Sequence, residues 1–124
     1  MSGQSIDEFA ELLINLVRDR AIKNCVARLS PDTRSPIGKE WQHSIGDNYC
    51  SAAIQERIIP DCVDEVIFCL LNAIDEEAIR LEFLDSRERR IDLSAVGKGE
   101  LAGWYMGEEN WREQFSHEKL NNYL

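Results

Sequence analysis

The stretch Asp61-Cys62-Val63-Asp64-Glu65-Val66-Ile67-Phe68-Cys69-Leu70-Leu71-Asn72-Ala73-Ile74 decides how this chain folds. Val63, Val66, Ile67, Leu70, Leu71 and Ile74 recur at the three- and four-residue intervals of one helical face, and Cys62, Phe68, Cys69 and Ala73 widen it. The spacing predicts the most buried helix of the fold, capped by Asp61. Interrupted by Asp64, Glu65 and Asn72, the run falls short of the roughly 20 apolar residues that span a bilayer, so no membrane association is expected.

Upstream of that helix, Ser5 and Glu8 form a capping box, and Phe9, Leu12, Leu13, Leu16, Val17, Ile22, Cys25, Val26 and Leu29 follow one helical face. A helix over residues 6–29 follows. Pro31, Asp32, Ser35, Pro36 and Gly38 make a connecting loop. Ile37, Trp41 and Ile45 then predict a short helix from Pro36 to Ile45, and Ala52, Ala53, Ile54 and Ile58 another that stops before Pro60.

Downstream, Ile79, Leu81 and Phe83 alternate with Arg80 and Glu82, residues 85–89 are a polar turn, and Ile91 and Leu93 alternate with Arg90 and Asp92. That is a β-hairpin whose apolar face must lie against the helices. Two short helices, near 99–106 and 109–116, fit the last third, where Gly103 beside Trp104 suggests close backbone approach. The expected fold class is α+β: a mostly helical single domain over residues 1–124, with three to five helices and one β-hairpin.

Charge narrows the function classes. The net charge of the 124 residues is −9, and residues 61–92 hold ten acids against four arginines. Phosphate backbones and anionic lipids select clustered Lys and Arg, so neither nucleic acid nor a membrane surface is an expected partner. A basic protein is. The N-terminus meets Asp7 and Glu8 before any apolar run, unlike an export signal, so a cytoplasmic location is expected, with Cys25, Cys50, Cys62 and Cys69 as reduced core residues.

No motif for a cofactor or for nucleophilic catalysis stands in the sequence, and none is expected. His43 and His117 have no nucleophile at a recognisable spacing. An alternative reading is a small metal-dependent enzyme, because Glu40 with His43 and Glu113 with His117 each place carboxylate and imidazole on one helical face. Among acidic groups, Asp75, Glu76 and Glu77 are the ones without a local structural return: they follow the last apolar position of the central helix and oppose its dipole. Together with Trp104, Tyr105 and Trp111, large side chains of the kind that dominate interfaces, they form the candidate partner-binding set.

The expected function is therefore binding without catalysis, by an acidic protein–protein interaction domain. In size, acidity and lack of catalytic residues the chain is similar to bacterial immunity proteins that neutralise toxins, a resemblance of class carried by no motif. It implies a stoichiometric inhibitor of a basic partner. A third reading is a self-associating structural protein, a homodimer formed through an exposed aromatic patch.

Overall fold

A computed structural model of the chain describes residues 2–49, 51–107 and 110–117. Its first element is a continuous rod: α1 (Ser2–Leu12), a π-helical turn (Leu13–Arg18) and α2 (Asp19–Arg28). The rod buries Ile6, Ala10, Leu13 and Ile14. The wider π turn then shifts the phase, so that Arg18, Asp19 and Ile22 carry the inward face onward. Leu16 and Val17, expected inside, consequently lie exposed, and Leu12, also expected inside, is exposed at the end of α1. Ser5 and Glu8 do not cap the rod, which begins earlier, and their side chains instead hold the hairpin tip described below.

Next comes α3 (Pro36–Ile45), with Pro36 in its first turn and the Ser35 hydroxyl accepting from the Gly38 amide at 3.1 Å. It lies on α2. Gln42 Nε2 donates to the carbonyls of Arg28 (3.1 Å) and Ser30 (2.8 Å), and the Arg28 guanidinium sits 5.4 Å from the centre of the Trp41 ring. Gly38 is required at this crossing: a β-carbon there would stand 2.5 Å from the Arg28 carbonyl oxygen. Among the described residues from 30 to 59, only this glycine is buried.

Pro60 does not end a helix. A second π-helical turn (Ile54–Ile58) leads directly into α4 (Ile59–Asp75), and Pro60 occupies the opening positions of α4. Proline lacks an amide hydrogen and collides with the carbonyl four residues earlier; the wider turn before it relieves both problems. Asp61 is therefore not a cap. On α4, Asp64, Ile67, Leu71 and Ile74 face inward, while Cys62, Val66, Cys69 and Leu70, expected in the core, are exposed, Val66 to 70%. Half of the apolar stripe is buried and half is bare.

The hairpin joins β1 (Glu82–Leu84) to β2 (Arg90–Asp92), antiparallel, with Phe83 opposite Ile91. Of its apolar face Phe83 and Ile91 pack on the core, the Phe83 ring edge-to-face with Phe9 at 5.6 Å, whereas Ile79 and Leu81 precede the strand and are exposed. Asp92 caps α5 (Leu93–Gly97), accepting from the Ser94 amide at 3.0 Å, so Leu93 enters the core from a helix rather than a strand. α6 (Leu101–Met106) and α7 (Trp111–Phe115) complete the described chain.

Counting the rod once and the run through Pro60 once, the described residues hold six helices and one hairpin, α+β and mostly helical, slightly above the expected number. One cluster unites all of them except α3, which rests on α2: Ile6, Leu13 and Ile14 of the rod, Ile67, Leu71 and Ile74 of α4, Leu93, Leu101, Tyr105 and Trp111, with Phe83 and Ile91 of the hairpin packed against it. Each large apolar side chain buried there contributes roughly 1.5–3 kcal/mol. Trp111 is wedged between Phe9 and Trp104, ring centres 6.2 Å from each. No helix among the described residues is long and apolar enough to cross a membrane.

Candidate functional site

Three polar arrangements stand out, and two of them are internal. The first centres on Asp64, an acid on the apolar face of α4. Its Oδ1 accepts from Arg18 Nε at 2.8 Å and from the Tyr105 hydroxyl at 2.6 Å, and its Oδ2 accepts from an Arg112 guanidinium nitrogen at 2.8 Å. Arg18 also donates to Asp19 at 2.7 Å, and the Ser116 hydroxyl donates to Asp19 at 2.8 Å. Arg18 is 1% exposed and Tyr105 is fully buried. Burial first, then the Asp64 charge, raises the Tyr105 hydroxyl far above the usual phenol range, so it stays a proton donor to Asp64. The network ties the rod, α4, α6 and α7 together.

The second arrangement is the hairpin tip. Asp85 accepts from the amides of Arg87 and Arg89, both at 2.9 Å, from Arg89 Nε at 3.0 Å and from the Ser5 hydroxyl at 2.8 Å. Chiefly the Arg89 amide, and then the Ser5 hydroxyl, the Arg87 amide and the Arg89 guanidinium, outweigh burial and bring its carboxyl down to about 2. Glu8 completes the clamp by accepting from the Ser86 amide at 2.6 Å and the Ser86 hydroxyl at 3.0 Å. This is a fastening of the hairpin onto α1.

The third arrangement faces solvent. A cleft of about 500 Å³ runs between α4 and α6, walled by Phe68 and Trp104, floored by Ala102 and Gly103, with Asn72 and Glu100 at its edges. Gly103 does not serve a close backbone approach, since a β-carbon there would meet nothing within 4 Å; it keeps the floor low. The solvent half of α4 adjoins the cleft as two rows. Asp61, Glu65, Asn72 and Glu76 run along the cleft side, and Cys62, Val66, Cys69, Leu70 and Ala73 run beside them. No lysine or arginine lies on α4. The Cys69 thiol donates to Glu65 Oε2 at 3.5 Å, and that carboxylate raises the pKa of the thiol, making it a poor nucleophile.

The predicted partner-binding residues divide accordingly. Asp75 has a structural return after all: its two oxygens accept from the amides of Leu101 (2.9 Å) and Ala102 (3.0 Å), capping α6 from a distance of 26 residues in sequence. Tyr105 and Trp111, the latter 2% exposed, belong to the interior and present no face to a partner. Trp104 is half-buried at the cleft wall, while Glu76 and Glu77 are exposed at the end of α4.

Of the ten acids of residues 61–92, Asp64, Asp75, Asp85 and Asp92 are engaged within the fold, Asp92 by Arg80 at 2.9 Å. Asp61, Glu65, Glu76, Glu77, Glu82 and Glu88 remain outside. Asp61 apart, the split follows side-chain length: the shorter aspartate reaches nearby amides and caps helices, whereas glutamate extends into water.

Glu40 and His43 are exposed on α3, which rests on α2; Glu113 and His117 are exposed on and just after α7, where Glu113 accepts from Asn110 Nδ2 at 3.2 Å. Among the described residues no group of three or more His, Cys, Asp or Glu is placed to hold a metal ion. Cys25 is half-buried and, with Cys62 and Cys69, is a free thiol; Cys50 lies outside the described residues. Sequence reasoning missed the Arg18–Asp64–Tyr105–Arg112 network. The available signal was the position of Asp64, three, seven and ten residues before Ile67, Leu71 and Ile74. Comparison with protein-family models, with curated proteins and with solved structures returned no match.

Proposed function

We propose that this chain is a non-catalytic protein-binding domain that engages a basic partner through the solvent half of α4 and the adjoining Phe68–Trp104 cleft. One observation carries the reading: on α4 an acidic row and an exposed apolar row lie side by side without a single basic residue. Apolar surface of this kind on a small domain marks a contact face, and the acids beside it set the sign of what it meets. Glu76 and Glu77 extend the negative border, and Trp104 supplies an aromatic wall on which the stem of a lysine or arginine can lie. A stoichiometric inhibitor of a basic enzyme is the form of this function that the size and acidity suit.

The test is affinity capture from source cells under cross-linking, repeated across a salt series. The wild-type chain should retain a protein of high isoelectric point, with retention falling as salt rises, and the E65K/E76K/E77K variant should lose it. Capture that is indifferent to both salt and charge reversal removes the proposal.

A further inference from the structure

The exposed apolar row of α4 has a register of its own. Cys62, Val66, Cys69 and Ala73 are spaced four, three and four residues apart, the a/d repeat of a coiled-coil seam, over three turns or about 16 Å. Glu65 and Leu70 flank the seam, Asp61 extends the acidic edge, and Glu76, seven residues after Cys69, closes the end of the seam with a further negative charge. Cys62, Val66 and Cys69 are exposed, Val66 to 70%, Leu70 is 38% exposed and Ala73 is half-buried, so the middle of the seam lies open among the described residues.

We propose that this seam receives one amphipathic helix from the partner, with large apolar residues seated on Cys62, Val66, Cys69 and Ala73 and lysines or arginines lying along Asp61, Glu65 and Glu76. The inference rests on the reading above that the partner is basic. Three observations choose this occupant. The seam side chains are mostly small, so a facing helix must bring longer ones to fill the space between the axes. The edge carries only negative charge, which pairs with a basic flank and repels an acidic one. A second copy fits poorly on both counts: it would set small residues against small, bring Glu65 near its own counterpart in an antiparallel pairing, and join two chains of net charge −9. An extended strand fits poorly too, because its backbone amides and carbonyls would face side chains that offer them no partners, whereas a helix satisfies its own.

Fluorescence anisotropy with labelled synthetic peptides tests this on the full chain. One three-heptad peptide carries Leu at every a and d position and Lys elsewhere; a second has the same composition with the leucines distributed around the helix. The amphipathic peptide should bind about tenfold tighter than the permuted one, and Val66→Asp should erase that advantage while Leu84→Asp, on exposed β1, leaves it intact. Val66→Ser serves as the milder variant should the aspartate perturb folding, with circular dichroism as the check. Equal binding of the two peptides, or indifference to both Val66 variants, overturns the helix proposal. If that equal binding still falls with salt and with E65K/E76K, the basic-partner reading survives it; if neither peptide binds at low salt, both fall. A dimer in light scattering that Val66→Asp dissolves assigns the seam to a second copy and likewise overturns the proposal.

Discussion

Replacing Asp64 by leucine separates the contribution of the buried ionic network from that of the apolar core around it. The substitution leaves Arg18, 1% exposed, without the carboxylate 2.8 Å from its Nε, and leaves the Tyr105 hydroxyl without its acceptor. Removing one partner of a buried pair costs about 3–5 kcal/mol, and because Arg18 keeps its ion pair with Asp19 at 2.7 Å the loss should fall toward the lower end of that range. For a chain of 124 residues, an unfolding entropy near 2.1 cal/mol/K per residue converts that to a fall in Tm of about 10–20 °C.

The double variant Arg18→Met/Asp64→Leu removes the guanidinium as well. Asp19 then keeps the Ser116 hydroxyl but loses Arg18, so part of the cost remains. The double variant should recover part of the loss, giving a coupling above about 1 kcal/mol in the double-mutant cycle. Calorimetric melting of the wild type, both single variants and the double supplies every corner. A Tm for Asp64→Leu within about 4 °C of wild type, or a double variant that merely adds the two single losses, refutes the argument.

Three further outcomes follow from local geometry. Glu77 sits at φ +62°, a left-handed conformation costing about 1–2 kcal/mol for a side chain, so Glu77→Gly should stabilise the chain by about 1 kcal/mol in denaturant titration. Gly38→Ala places a β-carbon 2.5 Å from the Arg28 carbonyl oxygen and should cost about 1–3 kcal/mol, read as faster hydrogen exchange across α3 with the core helices unchanged. Asp85 has a folded pKa of about 2, below its ordinary 3.8, so hairpin docking contributes fully above the unfolded value and is lost as pH falls from about 4 toward 2. Asp85→Asn should remove that part of the acid dependence, followed through the Ser86 and Arg89 amide resonances.

The helices were legible where their period was unbroken. Pro36–Ile45 appears with the predicted bounds because Ser35, Pro36 and Gly46 mark its ends locally. The errors arise where one turn of backbone departs from the α period. A π turn at Leu13–Arg18 rotates everything after it, so a strict 3.6-residue count puts Leu16 and Val17 inside and leaves Arg18 out. At Pro60 a local rule for ending helices met a wider turn that accommodated the ring.

Site residues were harder to read for a different reason. Asp75 looked idle because its partners, the amides of Leu101 and Ala102, are distant in sequence, and Trp104 and Trp111 have the same composition signal although only one of them borders the surface. Side-chain type states what a residue can do; only the packing states which side of the core it occupies. The wide apolar stripe of α4 was visible in the sequence, whereas its division into a buried half and a bare half was not, because the period of a helix does not state how much of its circumference the neighbours cover.

The described residues from 30 to 59 bury little beyond Gly38, and α3 is held to the rod by Gln42 and the Arg28–Trp41 stacking. It can therefore swing away without disturbing the Asp64 network or the aromatic wedge. A protease should nick the chain first just after α3, near Gly46, and the two fragments should stay associated, since the rod and α4 hold each other through contacts the cut does not touch.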